Sequence, residues 1–150
     1  RPAGLGDWAE GLGVLGMGAA VLNFLPDGPS FDDYFRLQGT PEDEWPTRFL
    51  VGLAPALLHR GYLVYPEIVD FKTQRVPSTG LACQLCAGMA GTEALKILLG
   101  RGKVRAVPHS MQFDAYTGKL KHVWRPGGNA HPLQRLAIAY VNWRLSRAAA

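Results

Sequence analysis

The sequence predicts an α/β fold in a single domain, and three features indicate it. An apolar run at 19–25 is typical of a buried strand ended by proline. A long apolar segment at 78–102 is typical of a core helix laid against a sheet. Two runs within 104–124, separated by a turn, predict a β-hairpin, which a last helix follows. A chain of 150 residues, 47% apolar and 19% charged, suits one globular domain.

The segment at 78–102 predicts the long helix around which the rest of the chain is organised. Ser78 or Thr79 can cap its start through a hydroxyl oxygen, and Gly100 can end it in the left-handed conformation. The side chains between these caps are nearly all apolar or small, so we expect the first half to be buried nearly all round. The small residues that would let another backbone approach are Ala87, Gly88, Ala90, Gly91 and Ala94.

Residues 11–16 match the phosphate-binding pattern G-x-G-x-x-G, but their context does not suit it. That pattern requires a preceding strand and a following helix, so that a phosphate meets the helix N-terminus. Residues 1–10 show no strand pattern, and a strand follows instead of a helix. We therefore expect residues 1–18 to be a flexible lead-in to the strand at 19–25.

Capping patterns predict short helices before the long one. Ser30 predicts a helix that ends near Gly39, and Thr40 with Pro41 predicts a second start. An amphipathic helix is expected at 47–60, kinked at Pro55, and an extended stretch at 62–71. The acids near the helix starts are interpreted as partners of the helix dipoles rather than metal ligands; they are Asp32, Asp33, Glu42, Asp43 and Glu44.

The C-terminal part predicts a hairpin and an amphipathic helix. The strands are expected at 104–113 and 119–124. Lys119 and Lys121 indicate that one face of the second strand is exposed to solvent. The helix is expected from Pro132 to about Arg147. Its predicted buried stripe consists of Leu133, Leu136, Ala137, Tyr140 and Trp143.

The net charge of +4 is unevenly distributed. Residues 1–93 contain 6 Lys/Arg and 11 Asp/Glu, a net −5, whereas residues 94–150 contain 10 Lys/Arg and 1 acid, a net +9. The basic part can serve an anionic partner, or can simply be a solvated surface. Basic and aromatic residues alternate at 116–125, but hairpin packing explains this at least as well as nucleic-acid binding does.

Cys83 and Cys86 form the one C-x-x-C pattern of the chain. Near a helix N-terminus a thiol can be acidified, which suits a nucleophile or a redox pair. Zinc would need two further ligands from a second chain, and the favoured interpretation is two buried helix residues. The thiols predict a reducing, cytoplasmic compartment. The sequence shows no signal-peptide pattern and no apolar run of the ~20 residues that cross a bilayer.

Several stretches resemble the ThiF/MoeB adenylyltransferases, bacterial relatives of the ubiquitin-activating enzymes. They are residues 16–24 (GMGAAVLNF), 30–35 (SFDDYF), 82–88 (ACQLCAG), 92–100 (TEALKILLG) and 113–114 (FD). The most specific is 92–100, which would lie in the helix after the family's crossover loop. The resemblance implies that residues 1–150 are the C-terminal portion of a Rossmann-like domain whose N-terminal, nucleotide-binding half is absent.

The resemblance also implies an activity. Members of this family join a carboxylate to AMP from ATP with Mg²⁺, often at the tail of a ubiquitin-like protein, and they usually dimerise. Their nucleotide motifs have no counterpart here, so the resemblance implies that this portion alone binds no cofactor or metal. It would cover the active site and dock the substrate or a second subunit. The substrate would be a ubiquitin-like protein or a small carboxylate, which Lys72 or Arg75 in the crossover stretch could steer.

Two functions of other classes stay open. One is a non-enzymatic interaction module that dimerises through apolar strands left uncovered. The other is a thiol redox protein that uses Cys83 and Cys86. A covalent thioester step would also have to use one of these two thiols, because residues 28–79 contain no cysteine.

Overall fold

The computed structural model describes residues 9–62 and 79–148. Within them it contains four strands, four α-helices and three short 3-10 turns, at Glu42–Glu44, Leu58–Gly61 and Gly128–Ala130. The longer elements are β1 (Ala9–Leu15), β2 (Gly18–Phe24), α1 (Phe31–Phe35), α2 (Trp45–Leu53), α3 (Gly80–Leu99), β3 (His109–Asp114), β4 (Lys119–Trp124) and α4 (Pro132–Ala148).

The four strands form one sheet in the order β1-β2-β3-β4. All three pairings between these strands are antiparallel; Ala9 lies opposite Phe24, for example, and Gly18 lies opposite Asp114. Three helices are inserted between the hairpin β1-β2 and the hairpin β3-β4. The α/β class is therefore confirmed, whereas the Rossmann-like arrangement stays a prediction.

β2 is the central element of the core and is buried along its whole length. On one face Ala20, Leu22 and Phe24 belong to the main hydrophobic cluster, whose other members include Tyr34, Phe35, Leu37 and Leu53. On the other face Asn23 contacts Glu93 of α3, because successive side chains of a strand point to opposite faces. The sheet thus lies between α3 and a layer that contains α1 and α2.

The predicted ends of the long helix are confirmed. The Thr79 hydroxyl accepts a hydrogen bond from the Ala82 N–H at 3.3 Å, and Gly100 ends α3 in the left-handed conformation. The expectation that its first half is buried nearly all round is wrong. Leu81 is 73% exposed, and a methyl group on Gly88 would meet no atom within 4 Å. Only one side of α3 packs on the sheet, and its buried residues are Ala82, Cys86, Ala90 and Glu93.

The lead-in predicted before the first strand is also wrong, because part of it is β1. Residues 11–15 pair with β2 through their backbones, and Gly16 turns the chain with φ at +61°. The pattern G-x-G-x-x-G therefore lies in a strand and a hairpin turn. The absence of a helix after it argues against a phosphate loop, as the sequence predicts.

The helices after β2 differ from the prediction in their boundaries. The Ser30 hydroxyl caps α1, as predicted, by accepting from the Asp33 N–H at 3.2 Å. Thr40 caps nothing, because its hydroxyl donates to the Arg36 carbonyl oxygen at 3.0 Å. The helix predicted at 47–60 ends at Leu53, so Pro55 follows the helix instead of kinking it.

The hairpin near the C-terminus is confirmed, but β3 begins at His109 rather than at residue 104. The last helix is confirmed in extent, and its predicted buried stripe is wrong. Leu136 is 68% exposed and Trp143 is 51% exposed, while Gln134 and Ile138 are buried. The reason is a hydrogen bond of 2.8 Å from Gln134 Nε2 to the Val51 carbonyl oxygen, which turns the polar side of α4 inward.

Candidate functional site

The residues predicted to carry chemistry are only partly described. Cys83 is exposed on α3, whereas Cys86 is buried. The expectation that both are buried is therefore wrong for Cys83, which lies on the outer side of the helix. Lys72 and Arg75 lie outside the described residues.

Both ends of the segment 63–78 are held at one place, the hairpin turn between β1 and β2. Before the segment, the Tyr62 hydroxyl accepts from the Met17 N–H at 2.9 Å. After it, the Thr79 N–H donates to the Gly16 carbonyl oxygen at 3.1 Å. We call Gly16, Met17, Tyr62, Thr79 and Asp114 the crossover anchor. The residues on either side of the predicted crossover stretch are thus held at two adjacent positions of this turn.

Asp114 is the charged member of the crossover anchor and is 1% exposed. Its Oδ2 accepts from the Tyr62 hydroxyl at 2.5 Å, and its Oδ1 accepts from the Thr117 N–H and hydroxyl at 2.8 and 2.9 Å. Burial tends to raise the pKa of the Asp114 carboxyl, but these hydrogen bonds and the nearby His59 outweigh burial and lower it. The carboxylate is thus ionised and positions Tyr62 and the β3-β4 turn.

His59 lies next to this carboxylate in the 3-10 turn before Tyr62. Burial lowers the pKa of His59 to about 4, and the negative charge of Asp114 opposes this shift only in part. His59 is therefore neutral at pH 7. The neutral His59 imidazole therefore adds no charge to the surroundings of the Asp114 carboxylate.

A second polar cluster joins β2 to α3 and explains the pattern Thr-Glu-x-x-Lys of residues 92–96. Glu93 is 5% exposed, and its Oε2 accepts from Asn23 Nδ2 at 2.9 Å. Its Oε1 is paired with the ammonium group of Lys96, which also donates to the Lys103 carbonyl oxygen at 3.3 Å. A carboxylate buried this deeply requires such a partner. The cluster therefore fixes α3 and the loop after it on the sheet.

Reasoning from the sequence missed His59 and Tyr62 as members of a site. Tyr62 and Asp114 are separated by 52 positions in the chain, and no local pattern marks either residue. Asp114 had a signal, because the pair Phe113-Asp114 belongs to the stretches that carry the family resemblance.

Two kinds of feature are not found in the described part of the chain. Among residues 9–62 and 79–148, no three His, Cys, Asp or Glu side chains are grouped so that they could hold a metal ion. None of the helices described has both the length and the hydropathy needed to span a bilayer.

No protein-family model, no curated protein and no solved structure matches this chain. The resemblance to the ThiF/MoeB adenylyltransferases therefore rests on the sequence stretches alone.

Proposed function

We propose that this chain is the substrate-covering portion of a ThiF/MoeB-type adenylyltransferase, with a Rossmann-like domain in the intact protein. Such an enzyme activates the carboxylate of a ubiquitin-like protein or of a small acid as an acyl-adenylate. ATP and Mg²⁺ would then be bound by elements of the intact protein outside this chain. The role of this portion would be to dock the acyl substrate through residues 63–78.

The observation that supports this proposal most directly is the crossover anchor. Tyr62 and Thr79 bind adjacent residues of the β1-β2 turn, so the residues just before and just after 63–78 are held at one end of the sheet. Asp114, from one of the stretches that carry the resemblance, completes the attachment. Under this proposal residues 63–78 contact the substrate, and the crossover anchor holds the residues on either side of them. Lys72 and Arg75 would give this segment the positive charge that a carboxylate requires.

Charge reversal tests the proposed docking role. We expect the double variant Lys72→Glu/Arg75→Glu to weaken binding of a ubiquitin-like tail peptide by at least ~10-fold, because two charge-assisted contacts become repulsive. The same peptide with an amidated C-terminus should bind the wild-type chain about as weakly. Fluorescence anisotropy of the labelled peptides measures both effects.

The matched control is Lys119→Glu/Lys121→Glu, which makes the same change in net charge on the exposed strand β4. It should leave the affinity nearly unchanged. If both double variants weaken binding equally, or if amidation has no effect, then Lys72 and Arg75 do not steer a carboxylate.

A non-enzymatic interaction module is the second candidate, and the outer side of α3 favours it. Leu81, Leu95 and Leu98 are 46–73% exposed there. The heptad-spaced positions of this side carry no charge; they are Leu81, Gln84, Gly88, Gly91, Leu95 and Leu98. Two copies could therefore pair without repulsion. β2 is buried along its whole length, so it is not one of the uncovered apolar strands predicted for dimerisation.

Light scattering tests this second candidate. We expect a dimer at micromolar concentration that Leu95→Glu converts to a monomer, since a buried unpaired charge costs several kcal/mol. Lys119→Glu is the control and should leave the mass unchanged. A wild-type chain that stays monomeric throughout the concentration range would exclude dimerisation through α3.

A further inference from the structure

A polar cavity of about 490 Å³ lies between the end of α1, the start of α2, and α4. This volume is within the range of small-molecule sites. Its polar lining residues are Arg36, Gln38, Thr40, Glu44, Arg48, Asn129, Arg135 and Asn142. The cavity belongs to the helical layer opposite α3 and involves none of the residues of the crossover anchor.

The cavity has an excess of positive charge. Three arginines line it, and its one acid, Glu44, is paired with Arg48 at 3.2 Å. Within the described parts of the chain, neither Arg36 nor Arg135 has a carboxylate partner. Two guanidinium groups therefore remain available at one concave surface. Guanidinium groups bind phosphate and carboxylate oxygens in a bidentate manner.

The walls of the cavity are held firmly in place. Asn129 is 1% exposed, and its amide nitrogen donates to the carbonyl oxygens of Phe35 and Arg48 at 3.0 and 2.9 Å. One buried side chain thus ties the end of α1 to α2. The backbone at Phe35, next to Arg36, and at Arg48 is therefore held before any ligand arrives, which reduces the entropy lost on binding.

Arg36 adopts a backbone conformation that is unfavourable for an arginine. It caps the end of α1 with φ at 56°, a left-handed conformation that glycine usually occupies at this position. Such strain costs on the order of 1 kcal/mol or more and is concentrated at functional sites. An arginine at a position suited to glycine indicates that its side chain has a use in the cavity.

We propose that this cavity binds a small dianion, either a phosphate ester or a dicarboxylate, between Arg36 and Arg135. Arg48, held by Glu44, contributes to the same positive surface. The size and concavity of the site favour a small molecule rather than an extended acidic surface. The inference does not rest on the adenylyltransferase proposal, because it uses none of the residues of the crossover anchor.

Titration calorimetry of the full chain with inorganic phosphate and with succinate tests the proposal. We expect saturable binding of at least one probe, with a Kd below about 10 mM at low ionic strength. Arg135→Gln should weaken this binding at least ~10-fold, since one charge-assisted pair is lost. Glu44→Gln should strengthen it, because the competing negative charge is gone. Arg101→Gln, an exposed arginine outside the cavity, should change nothing.

Arg36→Gly separates binding from folding. It removes a cation and relieves the left-handed strain, so we expect weaker binding together with an unchanged or higher thermal midpoint. A merely structural role for Arg36 cannot produce that combination. Binding of phosphate alone would assign the site to a phosphate ester, and binding of succinate alone to a dicarboxylate. No saturable binding of either probe, or an equal loss in Arg101→Gln, would overturn the proposal.

Discussion

Replacing Gly128 with alanine is expected to lower the free energy of unfolding by at least about 3 kcal/mol, from two additive causes. Gly128 has φ at +55°, which strains any other residue. The added methyl carbon would also lie 2.3 Å from the Tyr34 carbonyl oxygen and 2.8 Å from Tyr34 Cδ2. Tyr34 is itself 2% exposed in the core and cannot move aside. Urea unfolding followed by circular dichroism measures the loss.

Gly39→Ala is the matched control for this experiment. Gly39 has a similar φ, +69°, but an added methyl group would meet no atom within 4 Å. This variant should lose only the conformational term, about 1 kcal/mol. The difference between the variants isolates the contact with Tyr34. Equal losses would mean that the turn after α1 and the turn before α4 are equally tolerant, and that the contact contributes nothing.

Acidification is expected to destabilise the protein between pH 6.5 and about pH 4, chiefly through His59. Its folded pKa of about 4 lies below the ordinary value of 6.5, so in this window the unfolded chain binds more protons than the folded one. The stabilising contribution of neutral His59 is complete above pH 6.5 and is lost as the pH falls to 4. The size of the shift corresponds to roughly 3 kcal/mol.

His59→Gln should flatten this part of the pH profile, because glutamine has no proton to bind. Urea unfolding at intervals from pH 4 to 7.5, for both proteins, measures the difference. Parallel profiles for the wild type and His59→Gln would assign the acid sensitivity to other groups. Asp114 contributes only at lower pH, because its pKa is lowered from an already acidic value.

Local signals explain what could be predicted from the sequence. Ser30, Thr79 and Gly100 cap helices through backbone groups within four positions of themselves. The local sequence is therefore enough to predict these caps. The hairpin β3-β4 is equally local, since a short turn joins its strands. The α/β class follows from such elements without knowledge of how they pack.

The features that could not be predicted from the sequence depend on long-range contacts. The glycines of β1 obscure the alternation of residues by which a strand is recognised. β1 forms a strand because it pairs with β2. The stripe of α4 faces outward because Gln134 finds a backbone partner on α2, 83 positions away. The crossover anchor and the arginine-lined cavity each combine residues from at least three elements. No spacing rule along one helix or strand predicts such combinations.

Tyr62 and Thr79 bind neighbouring residues of one turn, although sixteen residues separate them in the chain. Where a chain leaves one point and returns to it, doubling the length of the intervening segment adds only about 0.6 kcal/mol of closure entropy. If residues 63–78 dock the substrate as proposed, their number can therefore change at a small entropic cost while the two hydrogen bonds to the β1-β2 turn are kept.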